Sequence, residues 1–114
     1  MVEQQAASLD RVFHALADPT RRAMLSSLAL REQTVGELAA PFQISLAASS
    51  KHVKVLESAG LVRRTVQGRT HVCQLEARPL GAAHGWLQSY EQFWSTRLDR
   101  LEALFAASSK EPAG

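Results

Sequence analysis

The sequence predicts a mainly α-helical domain with a small β wing, in the order α-α-α-α-β-β-α. Three observations predict it. Ahead of Gly60, apolar residues recur at three- and four-residue steps through short segments that begin at good helix caps. Two β-prone runs follow, separated by Gly68-Arg69. After Arg78-Pro79 the helical period returns and continues to about Ala106.

At 114 residues, with 46% apolar and 21% charged residues, the chain is long enough for one folded domain with a modest core. The net charge is only +2 although the pI is about 9.1, so any nucleic-acid partner must be announced by local charge. No apolar run is long enough to span a bilayer, and Met1–Ser8 lacks the apolar segment of a signal peptide, so the expected address is cytoplasmic. The single cysteine, Cys73, excludes an intrachain disulfide framework and a multi-cysteine zinc site. No nucleophile–base pair, phosphate loop or carboxylate dyad is visible, so no enzyme is expected.

Taken in order, residues 1–7 read as a disordered arm. Ser8 is the expected cap of a first helix with Leu9, Val12, Phe13 and Leu16 on one stripe. Asp18-Pro19 starts a second helix, because Asp caps well and Pro at the first helical position loses no hydrogen bond. That helix should run to about Ala29 and bury Met24, Leu25 and Leu28. Arg21 and Arg22 fall in its first turn, where the helix dipole disfavours cations. A structural ion pair with Asp18 is the preferred explanation, with a DNA phosphate as the alternative.

Thr34 with Glu37 three residues on is a capping box, opening a brief third helix from Val35 to about Pro41 with Leu38 and Ala39 inward. Gly36 lowers helix propensity there, which a close approach by a neighbouring helix would explain. Phe42 and Ile44 fill the turn. Ser45 then caps a fourth helix, closed by Gly60, with Leu46, Val53 and Leu56 as its apolar stripe. Ser49, Ser50, Lys51, His52 and Lys54 are placed on its other face. This is a helix-turn-helix arrangement. Small donors followed by cations suit a helix that enters a DNA major groove; the other reading is a solvated polar face on a core helix.

The hairpin settles the preference. It is expected over Leu61–Gln67 and Thr70–Leu75, with Gly68-Arg69 as its tight turn. From Ser45 to Leu75 the chain holds Lys51, Lys54, Arg63, Arg64 and Arg69 against the single acid Glu57. Positive charge thus collects on the two elements that would meet DNA. The last helix carries Leu80, Ala83, Leu87, Tyr90, Trp94, Leu98, Leu101 and Phe105 at helical steps, widened by Trp86, Phe93 and Leu104. An uncovered face of this kind would be a large exposed patch, so a homodimer is expected. Its contacts are assigned to Leu9, Phe13, Leu87, Tyr90, Trp94, Leu98, Leu101 and Phe105. Residues 108–114 read as a disordered tail, leaving 8–107 as the domain.

These segments resemble a known family. Ala15-Leu16-Ala17-Asp18-Pro19-Thr20-Arg21-Arg22, Thr34-Val35-Gly36-Glu37-Leu38-Ala39, Ser50-Lys51-His52-Val53-Lys54-Val55-Leu56, Ala59-Gly60-Leu61-Val62 and Gly68-Arg69 are similar, in this order, to motifs of the ArsR/SmtB winged helix-turn-helix repressors. The resemblance covers roughly residues 9 to 105. It implies two copies that place their recognition helices in successive major grooves of a near-palindromic operator. Ser45, Leu46, Ala47, Ser50, Lys51 and His52 would touch DNA, with Ser50, Lys51 and His52 at base edges. Lys54, Arg63, Arg64 and Arg69 would hold phosphates. Ser49 stands where the family usually has a larger apolar residue, which implies a slightly different seating of the helix.

The family's metal motifs are missing. The third helix has no Cys-x-Cys, and the last helix offers only His84 and Glu91, seven residues apart, so no metal or other cofactor is expected. His84 is read as a surface or interface histidine, and His14 and His71 lack partners at ligand spacing. Trp94 followed by Arg97-Leu98-Asp99-Arg100-Leu101 resembles the branch without metal sites. Cys73, alternating with Val72 and Gln74, is read as a small buried apolar residue in preference to a reactive thiol. A repressor controlling its own operon is the expected function. A repressor gated by an organic effector near the dimer helices, or a helical interaction module that no longer binds DNA, are the alternatives.

Overall fold

The computed structural model describes residues 2–109, with side chains for residues 8–107. The chain divides into two compact units, the first ending at Ala83 and the second beginning at His84. The elements are α1 (Val2–Leu16), α2 (Pro19–Leu28), β1 (Gln33–Thr34), α3 (Val35–Ala39), a 3₁₀ turn (Ala40–Phe42), α4 (Leu46–Ser58), β2 (Val62–Gln67), β3 (Thr70–Leu75) and α5 (Arg78–Ser109). The expected helices and hairpin are present, with one addition. Gln33 and Thr34 pair antiparallel with Cys73 and Val72, so the hairpin is the outer part of a three-stranded sheet in the order β1-β3-β2. A two-residue strand has no period of its own, and it exists here because β3 offers a free edge.

Two boundaries differ from expectation. Helix α1 begins at Val2, so Ser8 lies within it and caps nothing. Glu, Gln and Ala dominate Glu3–Ala7, and these are strong helix formers that extend a helix without needing a cap. Helix α5 continues through Ser109; the rest of the expected tail, and Met1, lie outside the described residues.

The core of the first unit is one cluster. Met24, Leu38, Val53, Leu56, Leu61 and Cys73 are almost fully buried within it. Leu9, Phe13, Leu16, Phe42 and Ile44 pack half-buried against its margin. Cys73 is therefore a core residue, and burial pushes its thiol pKa up, the reverse of what a reactive thiol needs.

Helix ends follow local chemistry. Asp18 accepts from the Arg21 backbone N–H at 3.0 Å, and that bond holds the Asp18 carboxyl below its ordinary pKa. Thr34 and Glu37 form the reciprocal capping box at 3.1 Å each way. At the end of α4, Leu61 N–H donates to Leu56 C=O and Gly60 N–H to Glu57 C=O, at 3.0 and 2.9 Å. This is a Schellman closure, and it requires the positive φ of Gly60, +74°.

Neither the Arg21 nor the Arg22 side chain forms the ion pair expected with Asp18. Arg21 Nε and Nη2 donate to the carbonyls of Ala15 and His14 at 2.8 and 2.9 Å, and Arg22 Nη1 donates to Leu16 C=O at 2.6 Å. The last carbonyls of α1 have no partner inside their own helix and carry its negative dipole end. The two arginines supply both the donors and the charge. Gly36 is a second correction. A Cβ there would meet only Thr34 Oγ1, at 3.9 Å, so no neighbouring helix requires glycine. Gly36→Ala is expected to raise the unfolding free energy by about 0.5 kcal/mol, as helix propensity predicts, in urea titrations monitored by circular dichroism.

Candidate nucleic-acid interface

Helix α4 follows the turn after α3 and packs on it, and α4 also packs on β2. Ser45 Oγ accepts the Ala48 N–H at 3.0 Å and fixes the start of α4. Val53 and Leu56 point inward as expected, but the third inward residue is Ser49 and not Leu46. Ser49 is fully buried, whereas Leu46 is 64% exposed. The steps from 49 to 53 to 56 are four and three residues, so Ser49 completes the core stripe geometrically. Its hydroxyl donates to Val35 C=O at 2.9 Å, joining α4 to the start of α3. A polar side chain is acceptable at this buried site because its donor is satisfied.

The opposite face of α4 presents Leu46, Ala47, Lys51 and Lys54, all exposed, flanked by half-buried Ser50 and His52. Ser50 lies on the hairpin side. With Leu46, Ala47, Thr34, Arg69 and His71 it lines an open cleft of about 670 Å³. His52 lies on the α2 side, where its Nδ1 is 3.4 Å from Arg21 Nη1 and 3.9 Å from Asp18 Oδ2.

The wing is a two-residue turn, with Gln67 and Thr70 paired across it and Gly68 at φ +64°. Arg69 is exposed at its tip. The other two wing arginines are engaged within the chain. Arg63 Nε lies 3.2 Å from Glu76 Oε1. Arg64 is 17% exposed, and its Nη2 lies 2.7 Å from Glu57 Oε1. Arg64, expected to hold a phosphate, is here engaged by Glu57. Glu57, the one acid of this segment, is on α4 and draws the guanidinium onto the protein. Among the described residues between Ser45 and Leu75, Lys51, Lys54 and Arg69 have no ion-pair partner, and they are the cations of this segment left facing outward.

The second unit presents a different surface. Trp86, Leu87, Tyr90, Phe93, Trp94, Leu98, Leu101, Leu104 and Phe105 are each 47–72% exposed. Their spacing places them on one broad stripe of α5. Trp86 and Tyr90 stack with centroids 5.2 Å apart, and Arg97 covers the Phe93 ring at 4.3 Å. Leu9 and Phe13, expected in the same interface, are half-buried against the core of the first unit. Among the described residues, no three His, Cys, Asp or Glu side chains converge as metal ligands, and no helix is long and apolar enough to cross a membrane.

Known proteins share this arrangement. A family profile described as a helix-turn-helix domain matches residues 16–65. The HTH-type transcriptional regulator Rv2034 of Mycobacterium tuberculosis is 42% identical over 91 residues, covering 80% of this chain and 82% of that protein. The transcriptional repressor SmtB homolog of Synechocystis is 40% identical over 65 residues, covering 57% of this chain and 49% of that protein. A crystal structure of an ArsR family transcriptional regulator, RHA00566, superposes with a TM-score of 0.74 at 41% identity, covering 79% of this chain and 93% of that one.

Proposed function

Since this chain belongs to the ArsR/SmtB family of winged helix-turn-helix transcriptional regulators, we propose that two copies bind a near-palindromic operator and repress by occluding it. The observation that carries the proposal is the placement of unpaired positive charge. Lys51 and Lys54 project from the outer face of α4, and Arg69 from the wing tip, with the open cleft between helix and wing. A basic helix beside a basic wing fits a major groove and the phosphates that flank it. Lys54 and Arg69 are assigned to phosphates, and Lys51, Ala47 and Ser50 to the groove. Leu46 sits exposed at the start of the helix, where its methyls suit a thymine methyl. Arg63 and Arg64 tie the wing to its own protein.

The second copy is supported by α5. Nine large apolar side chains on one stripe, each about half or more exposed (47–72%), exceed what a monomer ordinarily leaves in water. The stripe fits its own mate, because a homodimer would bury both copies of it at once. Two recognition helices would then read half-sites about 34 Å apart. Autoregulation follows as the simplest target, tested by footprinting the protein on the region upstream of its own gene.

The primary test is a salt titration of DNA binding. Two phosphate-directed cations in each of two copies predict a log–log slope of about −4 and a loss of about 10²-fold in affinity between 50 and 200 mM salt. Arg69→Ala should flatten that slope by about two and weaken operator and random duplex alike. Arg64→Ala should leave the slope unchanged and lower the melting temperature. Absence of binding to any duplex at low salt would remove the repressor reading, and an unaltered slope in Arg69→Ala would remove the wing tip from it.

A further inference from the structure

Arg21 has a role in the fold and one guanidinium nitrogen, Nη1, to spare. Its Nε and Nη2 are fixed on the carbonyls of Ala15 and His14 at 2.8 and 2.9 Å, and its backbone N–H on Asp18 Oδ2 at 3.0 Å. Held at these points, the guanidinium directs Nη1 across to α4, 3.4 Å from Nδ1 of His52. A guanidinium carries donors only. Nδ1 must therefore accept, and the proton of the neutral imidazole must sit on Nε2. Asp18 Oδ2 favours the opposite arrangement, but it is 3.9 Å from Nδ1 and already accepts the Arg21 N–H. The nearer and better anchored group sets the tautomer.

The consequence is on the other side of the ring. Among the described residues Nε2 has no hydrogen-bond partner, and a quarter of the His52 side chain is open to solvent. His52 follows Lys51 on the outer face and precedes buried Val53, so the ring stands at the edge of the groove-facing surface. We propose that Arg21 is a positioning residue that locks His52 with its proton on Nε2, and that His52 uses this donor to select a base with a major-groove acceptor at one position of each half-site. The inference rests on the DNA-binding reading above. A donor matches a purine N7, guanine O6 or thymine O4, and does not match the amino groups of cytosine or adenine.

Two experiments on the whole protein test it. Nitrogen-15 NMR of the His52 ring, at a pH where it is neutral, should show protonation at Nε2. In Arg21→Met, which removes the donor and keeps side-chain bulk, both tautomers should be present. Protonation at Nδ1 in the wild type, or an unchanged tautomer in Arg21→Met, overturns the proposal. Because that variant also loses two bonds to α1, the second experiment leaves Arg21 intact. Wild type, His52→Gln and His52→Asn are each used to select from randomised duplexes. The glutamine amide N–H reaches about as far as Nε2–H, whereas the asparagine amide ends nearer Nδ1. Wild type and His52→Gln should share one preferred acceptor position per half-site. His52→Asn should lose that preference by about 3- to 10-fold, the size of one hydrogen bond, and keep the others. If His52→Asn selects the wild-type motif at every position, or His52→Gln is no better than His52→Asn, the proposal fails and the DNA-binding reading stands. If wild type enriches no duplex, both fail.

Discussion

Replacing Trp94 and Leu98 together with glutamate should leave a folded chain that sediments at 12.5 kDa in place of twice that mass, and DNA affinity should fall at least about 100-fold. Both side chains sit on the exposed stripe of α5, four residues apart, with Trp94 at 47% and Leu98 at 59% exposure. Glutamate is a good helix former, so the helix itself should survive. Two carboxylates buried against their copies in a mate would be unpaired like charges taken out of water, which a dimer interface cannot tolerate. The loss in DNA affinity follows from connectivity. With two recognition helices joined, the second half-site is engaged as an intramolecular step, and that gain is on the order of 10²–10⁴-fold without any new contact. The double variant keeps every DNA-facing side chain and loses only the joining. Sedimentation and a binding isotherm on the footprinted operator check both halves of the result. A dimer that persists in the variant would move the interface off this stripe. A monomer that binds as tightly as the wild type would show that one wing and one helix suffice.

Most of this fold was legible because it is set by neighbours in sequence. The Asp18-Pro19 start, the Thr34–Glu37 capping box, the Ser45 cap and the Gly60 closure each depend on residues within one turn, and all are present at the expected positions. What escaped depends on partners far along the chain. Ser49 was assigned to the outer face because serine is not counted as apolar. Its burial rests on Val35 C=O, fourteen residues away, which nothing local reveals. Leu46 counts in the apolar stripe for the mirror-image reason, although the resemblance also gives it a DNA contact, and it is exposed. β1 exists only as a partner of β3. Arg64 resembled a phosphate holder until Glu57 was placed beside it across the gap between helix and wing. Arg21 and Arg22 carried a readable signal, two cations at the unfavourable end of a helix. Their partners carry no formal charge: the end of the preceding helix offers carbonyls and a negative dipole. For the candidate interface, the elements were legible and the division of labour among side chains was not.

Leu56→Ala should cost about 2–5 kcal/mol of stability, the range for deleting a leucine side chain from a packed core. Leu56 is wholly buried on α4. It also supplies the carbonyl that accepts the Leu61 N–H in the Schellman closure, and Leu61 is itself wholly buried. Truncation therefore leaves a void where helix end, turn and hairpin start converge, at a point where Gly60 already holds the chain at a fixed positive φ. In a domain of this size each kcal/mol is worth about 4–8 °C, so the melting temperature should fall by at least about 8 °C, followed by circular dichroism. Leu56 faces away from the outer surface of α4, and its loss removes no donor or cation from it. At a temperature where the variant is still folded, DNA affinity and its salt slope should match the wild type. That combination separates it from Arg69→Ala, which should keep the melting temperature and flatten the slope. If Leu56→Ala melted normally and bound DNA poorly, the inward and outward faces of α4 would have to be exchanged.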